Sequence, residues 1–220
     1  MRALPDAFQP YTWALSTEEL ARQTSLDAFE IVRFDGNTRP LPHPSARPGT
    51  IASALAEVNG YAHGGHMDLT AAVADYAGVA PENIVLGAGA DDLILLCART
   101  FAGPGDEVAI AAEPTYPLYR VAAGLAGAEV GDAHPAVTFC CRPNNPTGEL
   151  EPLPDARPLV VDEAYFEYAG ETAVPLIDDG IVVLRTFSKA FGLAGARVGY
   201  AVADRDVAAE LNRRQAPLPV

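Results

Sequence analysis

Apolar residues are distributed along this chain in two ways. Runs with no polar face, such as PLVV at 158–161 and GIVVL at 180–184, are the pattern of strands covered by helices on both sides. They alternate with helix-like segments. The alternation predicts helices at 68–77, 90–101 and 115–126 and a last helix beginning at Asp204. Strands are predicted in NIVLG (83–87), EVAIAA (107–112), VTFCC (137–141), PLVVDEA (158–164), GIVVLRTF (180–187) and ARVGYAVA (196–203). Upstream, STEEL at 16–20 has the Ser-x-x-Glu spacing of a capping box and marks a short helix. FEIVRF at 29–34 reads as a strand, and GNTRPLPHPS after it as an extended loop. The organisation is an N-terminal arm, residues 1–34, followed by one α/β domain, residues 35–220, with a mainly parallel sheet flanked by helices.

Composition narrows the class of protein. With 49% hydrophobic and 20% charged residues, 220 residues can bury a real core. A formal net charge of -14 repels polyanions, so neither nucleic acid nor an anionic membrane is an expected partner. No apolar run has signal-peptide length or approaches the roughly 20 residues of a membrane helix, and a cytoplasmic location is expected. Cys97, Cys140 and Cys141 show no C-x-x-C spacing and read as reduced core thiols; no metal site is expected. His63 and His66 flank two glycines and are read as solvated or dimer-interface residues in preference to metal ligands.

In such folds ligands bind beyond the carboxyl ends of the strands, and four loops there carry chemistry. LGAGADD turns from strand to helix, so backbone amides at Gly89, Ala90 and Asp91 could hold a phosphate; a plain tight turn fits the same residues. CRPNNPTG (141–148) leaves a strand with Asn145 placed to donate to a bound oxygen, or simply makes a turn. VVDEAYFEY (160–168) runs two valines into Asp162, whose carboxylate would need a cation or several donors if buried. TFSKAFGLAGARVGY (186–200) puts Lys189 after an apolar strand, where partial desolvation would lower its pKa and free its amine as a nucleophile.

In this order the four loops resemble the signature set of the pyridoxal-phosphate enzymes with the aspartate aminotransferase fold, and within it the histidinol-phosphate aminotransferase family. The resemblance also takes in PYTWALSTEEL, DGNTRPLPHPS, EPTYPLYR and NRRQAPLPV, nearly the whole chain. It implies pyridoxal 5'-phosphate held by Lys189 as an imine, with the same lysine shuttling the proton. Asp162 would then pair with the ring nitrogen, Asn145 and Tyr165 would donate to the ring's phenolic oxygen, and Tyr116 would stack on the ring. Backbone at Gly89, Ala90 and Asp91, with Thr186, Ser188 and Arg197, would hold the phosphate. Tyr61 would reach the phosphate of a neighbouring subunit, which implies a homodimer.

The activity implied is transamination of histidinol phosphate with 2-oxoglutarate, giving imidazole acetol phosphate and glutamate, a step of histidine biosynthesis. More broadly, the substrates would be an amino-acid or amino-alcohol phosphate and a 2-oxo acid. Two other readings stay open: a decarboxylase of an amino-acid phosphate on the same fold, and a truncated, non-catalytic homologue or fragment serving as a binding or assembly partner. The family pattern continues into a smaller C-terminal domain that is absent from these 220 residues and normally supplies the arginine for a substrate carboxylate. Arg142 stands where the pattern has Asn, and of an NENP-like loop only Asn37 of the asparagine pair is kept, Arg39 replacing the other.

Overall fold

The computed structural model of the chain describes residues 8–12, 14–40, 48–56, 59–60 and 66–216. Among the described residues seven strands form one sheet: β1 (Ile84–Gly87), β2 (Glu107–Ile110), β3 (Glu129–Val130), β4 (Pro135–Cys141), β5 (Leu159–Asp162), β6 (Ile181–Thr186) and β7 (Gly199–Val202). Their order is β1-β7-β6-β5-β4-β2-β3. The pairs from β3 through β6 are parallel, while β7 runs antiparallel to both β6 and β1. Seven α-helices accompany the sheet among the described residues: α1 (Thr17–Thr24), α2 (Pro48–Ala56), α3 (Met67–Ala77), α4 (Ala90–Phe101), α5 (Leu118–Ala126), α6 (Phe166–Ala169) and α7 (Arg205–Arg214).

The unbroken apolar runs are explained by where their alternate residues go. Val160, Val182 and Leu184 join Leu93, Leu96, Tyr119, Phe139 and Leu211 in a core under α4, α5 and α7. Their neighbours Leu159, Val161, Ile181 and Val183 join Val73, Ile84, Ile177 and Tyr200 in a second core on the other face. Each such side chain contributes about 1.5–3 kcal/mol on burial, so β5 and β6 are anchored from both sides. That rigidity is what the loops at their carboxyl ends inherit. The three cysteines are buried free thiols, pushed by burial up to about 12, about 11 and about 12 for Cys97, Cys140 and Cys141.

Helix ends follow local chemistry. Ser16 Oγ accepts from Glu19 N at 3.1 Å, as its spacing predicts, although the Glu19 carboxylate turns to Arg22 and Gln23 and does not close the box. Asp204 caps α7 by accepting from the amides of Asp206 and Val207. The helix expected from Thr115 starts instead at Leu118, because Thr115 spends its hydroxyl on Asn144 and Pro117 serves as the N-cap.

The strand expected at 29–34 is not formed. Asp27 and Glu30 make a reciprocal capping box that winds Ala28–Glu30 into a 3-10 turn, and the following residues pair with no strand. Phe29, Val32 and Phe34 remain 98%, 72% and 81% exposed, so the alternation that suggests a strand here buries no face. Among the described residues no helix is long and apolar enough to cross a membrane.

Candidate active site

The turn from β1 into α4 is built around two glycines that other residues crowd. Gly89 has φ +85, and a Cβ there would stand 2.6 Å from Arg197 Nη2. Gly199, on β7, is walled by backbone: a Cβ would meet Gly89 C at 2.7 Å, Arg185 O at 2.8 Å and Ala90 N at 2.9 Å. The amide of Gly89 donates to Gly87 O at 2.7 Å, so the free amides expected at 89–91 begin at Ala90, the first residue of α4. Gly89 contributes room for the Arg197 guanidinium and not a donor.

Arg197 itself is left-handed, φ +52, and its guanidinium donates to Ala88 O at 3.2 Å and Ala194 O at 3.0 Å, with Ser188 Oγ at 3.5 Å. The Asp91 carboxylate lies 3.7 Å away. Thr186 and Ser188 are buried and linked, Oγ1 to Oγ at 2.9 Å, with Ser188 N donating to Thr186 Oγ1 at 3.1 Å. Two hydroxyls, a guanidinium and the positive end of a 12-residue helix therefore face one place, a set suited to an anion with several oxygens.

Asp162 ends β5 and is 3% exposed. Tyr119 Oη donates to its Oδ2 at 2.7 Å and Ala164 N to its Oδ1 at 3.0 Å, and no salt-bridge partner stands among the described residues. Burial pushes its carboxyl up to about 6. A cation brought to this carboxylate would be held strongly. On the same loop Tyr165 Oη accepts from Asn37 Nδ2 at 3.1 Å.

Its sequence neighbour Glu163 meets a different fate on the other face of the sheet. Arg185 donates to Glu163 Oε2 from Nε at 3.1 Å and Nη2 at 2.9 Å, Ala173 N donates to Oε1 at 2.6 Å, and the Phe166 ring covers the guanidinium at 3.6 Å. This buried pair ties the ends of β5 and β6 together.

Lys189 follows β6. Its Nζ donates to Gly36 O at 2.8 Å, and burial pushes its amine down. Asn145 is presented by a loop that its neighbour locks: Asn144 is 3% exposed, accepts from Thr115 Oγ1 at 2.6 Å and donates to Pro114 O and Thr147 Oγ1. Arg142 is tied to Glu151 O and the Glu171 carboxylate. Tyr116 Oη donates to Asp91 Oδ1 at 3.0 Å, its ring lying edge-on to Tyr119.

These residues converge. Ala90, Asp91, Tyr116, Asn145, Asp162, Tyr165, Thr186, Ser188, Lys189 and Arg197 all line one cavity of about 400 Å³. Tyr61 and His63 lie outside the described residues, and His66 stands at the start of α3, away from the cavity lining. Among the described residues no group of His, Cys, Asp and Glu is arranged to hold a metal ion. Sequence reasoning missed Tyr119, whose phenol holds Asp162, and Arg33, Asp35, Gly36 and Thr38, which also line the cavity. Their signal is spatial: Tyr119 lies 43 residues along the chain from Asp162, and Gly36 lies 153 from Lys189. A second cavity, about 640 Å³, shares Asn37, Thr38, Asn145 and Tyr165 with the first and is otherwise lined by uncharged residues such as Leu150 and Tyr168.

The family profile described as aminotransferase class I and II matches residues 32–136 and 131–220. The chain is 37% identical over 218 residues to the histidinol-phosphate aminotransferase of Thermococcus gammatolerans, covering 86% of this chain and 63% of that protein. It is 40% identical over 205 residues to the aromatic amino acid aminotransferase of Rhodococcus opacus, covering 78% of this chain and 57% of that protein. It thus spans about three-fifths of the length of these curated relatives. Its fold is that of the histidinol-phosphate aminotransferase from Sinorhizobium meliloti, solved in complex with pyridoxal-5'-phosphate, with a TM-score of 0.79 at 24% identity over 97% of this chain and 67% of that one.

Proposed function

The chain belongs to the class I and II aminotransferases, and on that footing we propose that it binds pyridoxal 5'-phosphate and takes part in transamination, with histidinol phosphate and 2-oxoglutarate as the substrate pair. The observation that carries the reading is the convergence of Lys189, Asp162 and the Thr186–Ser188–Arg197 set in one cavity. The residues fit the cofactor at three points. A phosphate suits the amides of Ala90 and Asp91, the two hydroxyls and the fork of Arg197. A protonated ring nitrogen suits the buried, cation-poor carboxylate of Asp162. An aldehyde suits an amine that burial keeps from holding its proton tightly.

When bound, the cofactor supplies a carbon that condenses with amines and a ring that draws electrons from the substrate carbon next to it. The chain supplies the rest. Asp162 keeps a proton at the ring nitrogen, its own orientation fixed by Tyr119 and Ala164 N. Asn145 and Tyr165, which both line the cavity, would donate to the ring's phenolic oxygen. Lys189 Nζ would hold the cofactor covalently and would carry the proton taken from and returned to the substrate. A homodimer in which Tyr61 reaches the neighbouring site belongs to the same proposal.

Borohydride reduction of the protein mixed with pyridoxal phosphate, followed by peptide mapping, tests the anchor. The label is expected on Lys189 and is expected to vanish in Lys189→Ala. Lys189 is the one lysine of the chain, so a label confined to the amino terminus, or no label at all, sinks the reading. Assaying carbon dioxide beside keto product with each phosphate-bearing amine separates transamination from decarboxylation.

A further inference from the structure

We propose that Asn37 is a positioning residue for the Tyr165 hydroxyl, fixing the direction in which that hydroxyl offers its proton. The inference rests on the reading that the cavity takes pyridoxal phosphate. A phenol has one proton to give and can also accept. Asn37 Nδ2 can only donate, and it lies 3.1 Å from Tyr165 Oη. With that side of the oxygen filled by an incoming N–H, the phenol's own proton is directed elsewhere, and both side chains line the cavity.

Asn37 is held for this task. It adopts φ +48, a left-handed conformation that Asn and Gly tolerate better than other residues. On one side Gly36 O accepts from Lys189 Nζ at 2.8 Å; on the other Arg39 Nη1 donates to Ala190 O at 3.4 Å. The segment 36–39 is thus pinned to the loops after β5 and β6 at three points, and the amide has a fixed place beside Tyr165. Burial pushes the Tyr165 phenol up while the Asn37 amide works in the opposite direction, as donation to a phenol oxygen must.

The test uses Asn37→Gly, which suits the backbone and deletes the amide, and Asn37→Asp, which keeps the shape but replaces the donor with an acceptor. Each is loaded with pyridoxal phosphate, as are the parent, Tyr165→Phe and the Asn37→Gly/Tyr165→Phe double variant, and visible absorbance is followed against pH. The nitrogen joining Lys189 to the cofactor changes colour on losing its proton, and a donor to the ring oxygen lowers the midpoint. Asn37→Gly is expected to raise it by about one pH unit, the size of one hydrogen bond to a charged group. Asn37→Asp is expected to raise it at least as far, and Asn37→Gly to add nothing when Tyr165 is already Phe.

An unchanged midpoint in Asn37→Gly, or an equal shift with and without the Tyr165 hydroxyl, overturns the proposal. So does a parent-like midpoint in Asn37→Asp, which would mean the amide presents its oxygen. Absence of any visible band in the parent removes the cofactor reading itself and the inference with it. In cofactor-free protein, ring-carbon NMR of Tyr165 is expected to titrate at higher pH in Asn37→Gly than in the parent, and coincident curves overturn the contact independently.

Discussion

Asp162 gives the cofactor-free protein a definite pH dependence. Its folded carboxyl titrates at about 6, above the ordinary 3.8, because burial penalises the charge. A carboxyl raised in this way stabilises the fold fully below about pH 4 and loses that contribution as pH rises through about 6. The loss is on the order of 3 kcal/mol. Cofactor-free Asp162→Asn is therefore expected to be more stable than the parent at pH 8 by up to about 3 kcal/mol, with the gap closing toward pH 4. Urea titrations at the two pH values measure it; a gap that does not change with pH shows that the charge is not the cause. The same variant should bind the cofactor less well. Asp162 and Lys189 are legible in the sequence because each ends an apolar run that can only be a covered strand. Tyr119 is not, since its place in a helix pattern says core and nothing in it says that α5 crosses the end of β5.

Elements behave as their local chemistry dictates where packing agrees, and the exceptions are instructive. β5 and β6 form as the runs PLVV and GIVVL predict, because two cores claim their alternate residues. The arm segment 29–34 has an equally good apolar pattern and forms no strand, because a capping box bends its start and no core receives its side chains. Pattern shows what could be buried, and only tertiary contact decides what is. The junction of β7 with the β1–α4 turn gives a matched pair of tests. Gly199→Ala puts a methyl against three backbone atoms at 2.7–2.9 Å, and is expected to cost about 1–3 kcal/mol and to weaken cofactor binding. Gly195→Ala, five residues from the same strand's centre, meets nothing within 4 Å and should stay within about 0.5 kcal/mol of the parent. Thermal unfolding of the two variants decides it: equal stabilities would mean that β7 can move away from the turn.

Taken whole, the described residues furnish a cofactor's contacts far better than a substrate's. Lys189, Arg197 and Arg33 are the cations lining the first cavity, and no charged residue lines the second. The first two are given to the cofactor by the reading above, and Arg33 is already held by both oxygens of Asp35. A substrate carboxylate would lack a charge-assisted partner worth about 1.5–3 kcal/mol, roughly 10–100-fold in rate or affinity. With this 220-residue chain, glutamate is expected to convert the bound cofactor at least about tenfold more slowly than it does with the Thermococcus gammatolerans enzyme. Histidinol phosphate, which has no carboxylate, should lag less. Following each half-reaction by its colour change tests this, and parity with glutamate would reveal a carboxylate site elsewhere.

Residues 162 and 163 are adjacent acids separated by the thickness of a sheet. Glu163 has its arginine, its threonine and a backbone amide, so its charge is fully answered. Asp162 has two donors and no salt-bridge partner among the described residues, and so the native state keeps a frustrated contact at its centre. A ligand that brings positive charge to that carboxylate relieves a strain the polypeptide cannot relieve alone, and by binding only the folded state it draws the folding equilibrium toward itself. In energetic terms such a ligand is the last member of the core, and saturation with it should be felt as cooperativity throughout the sheet.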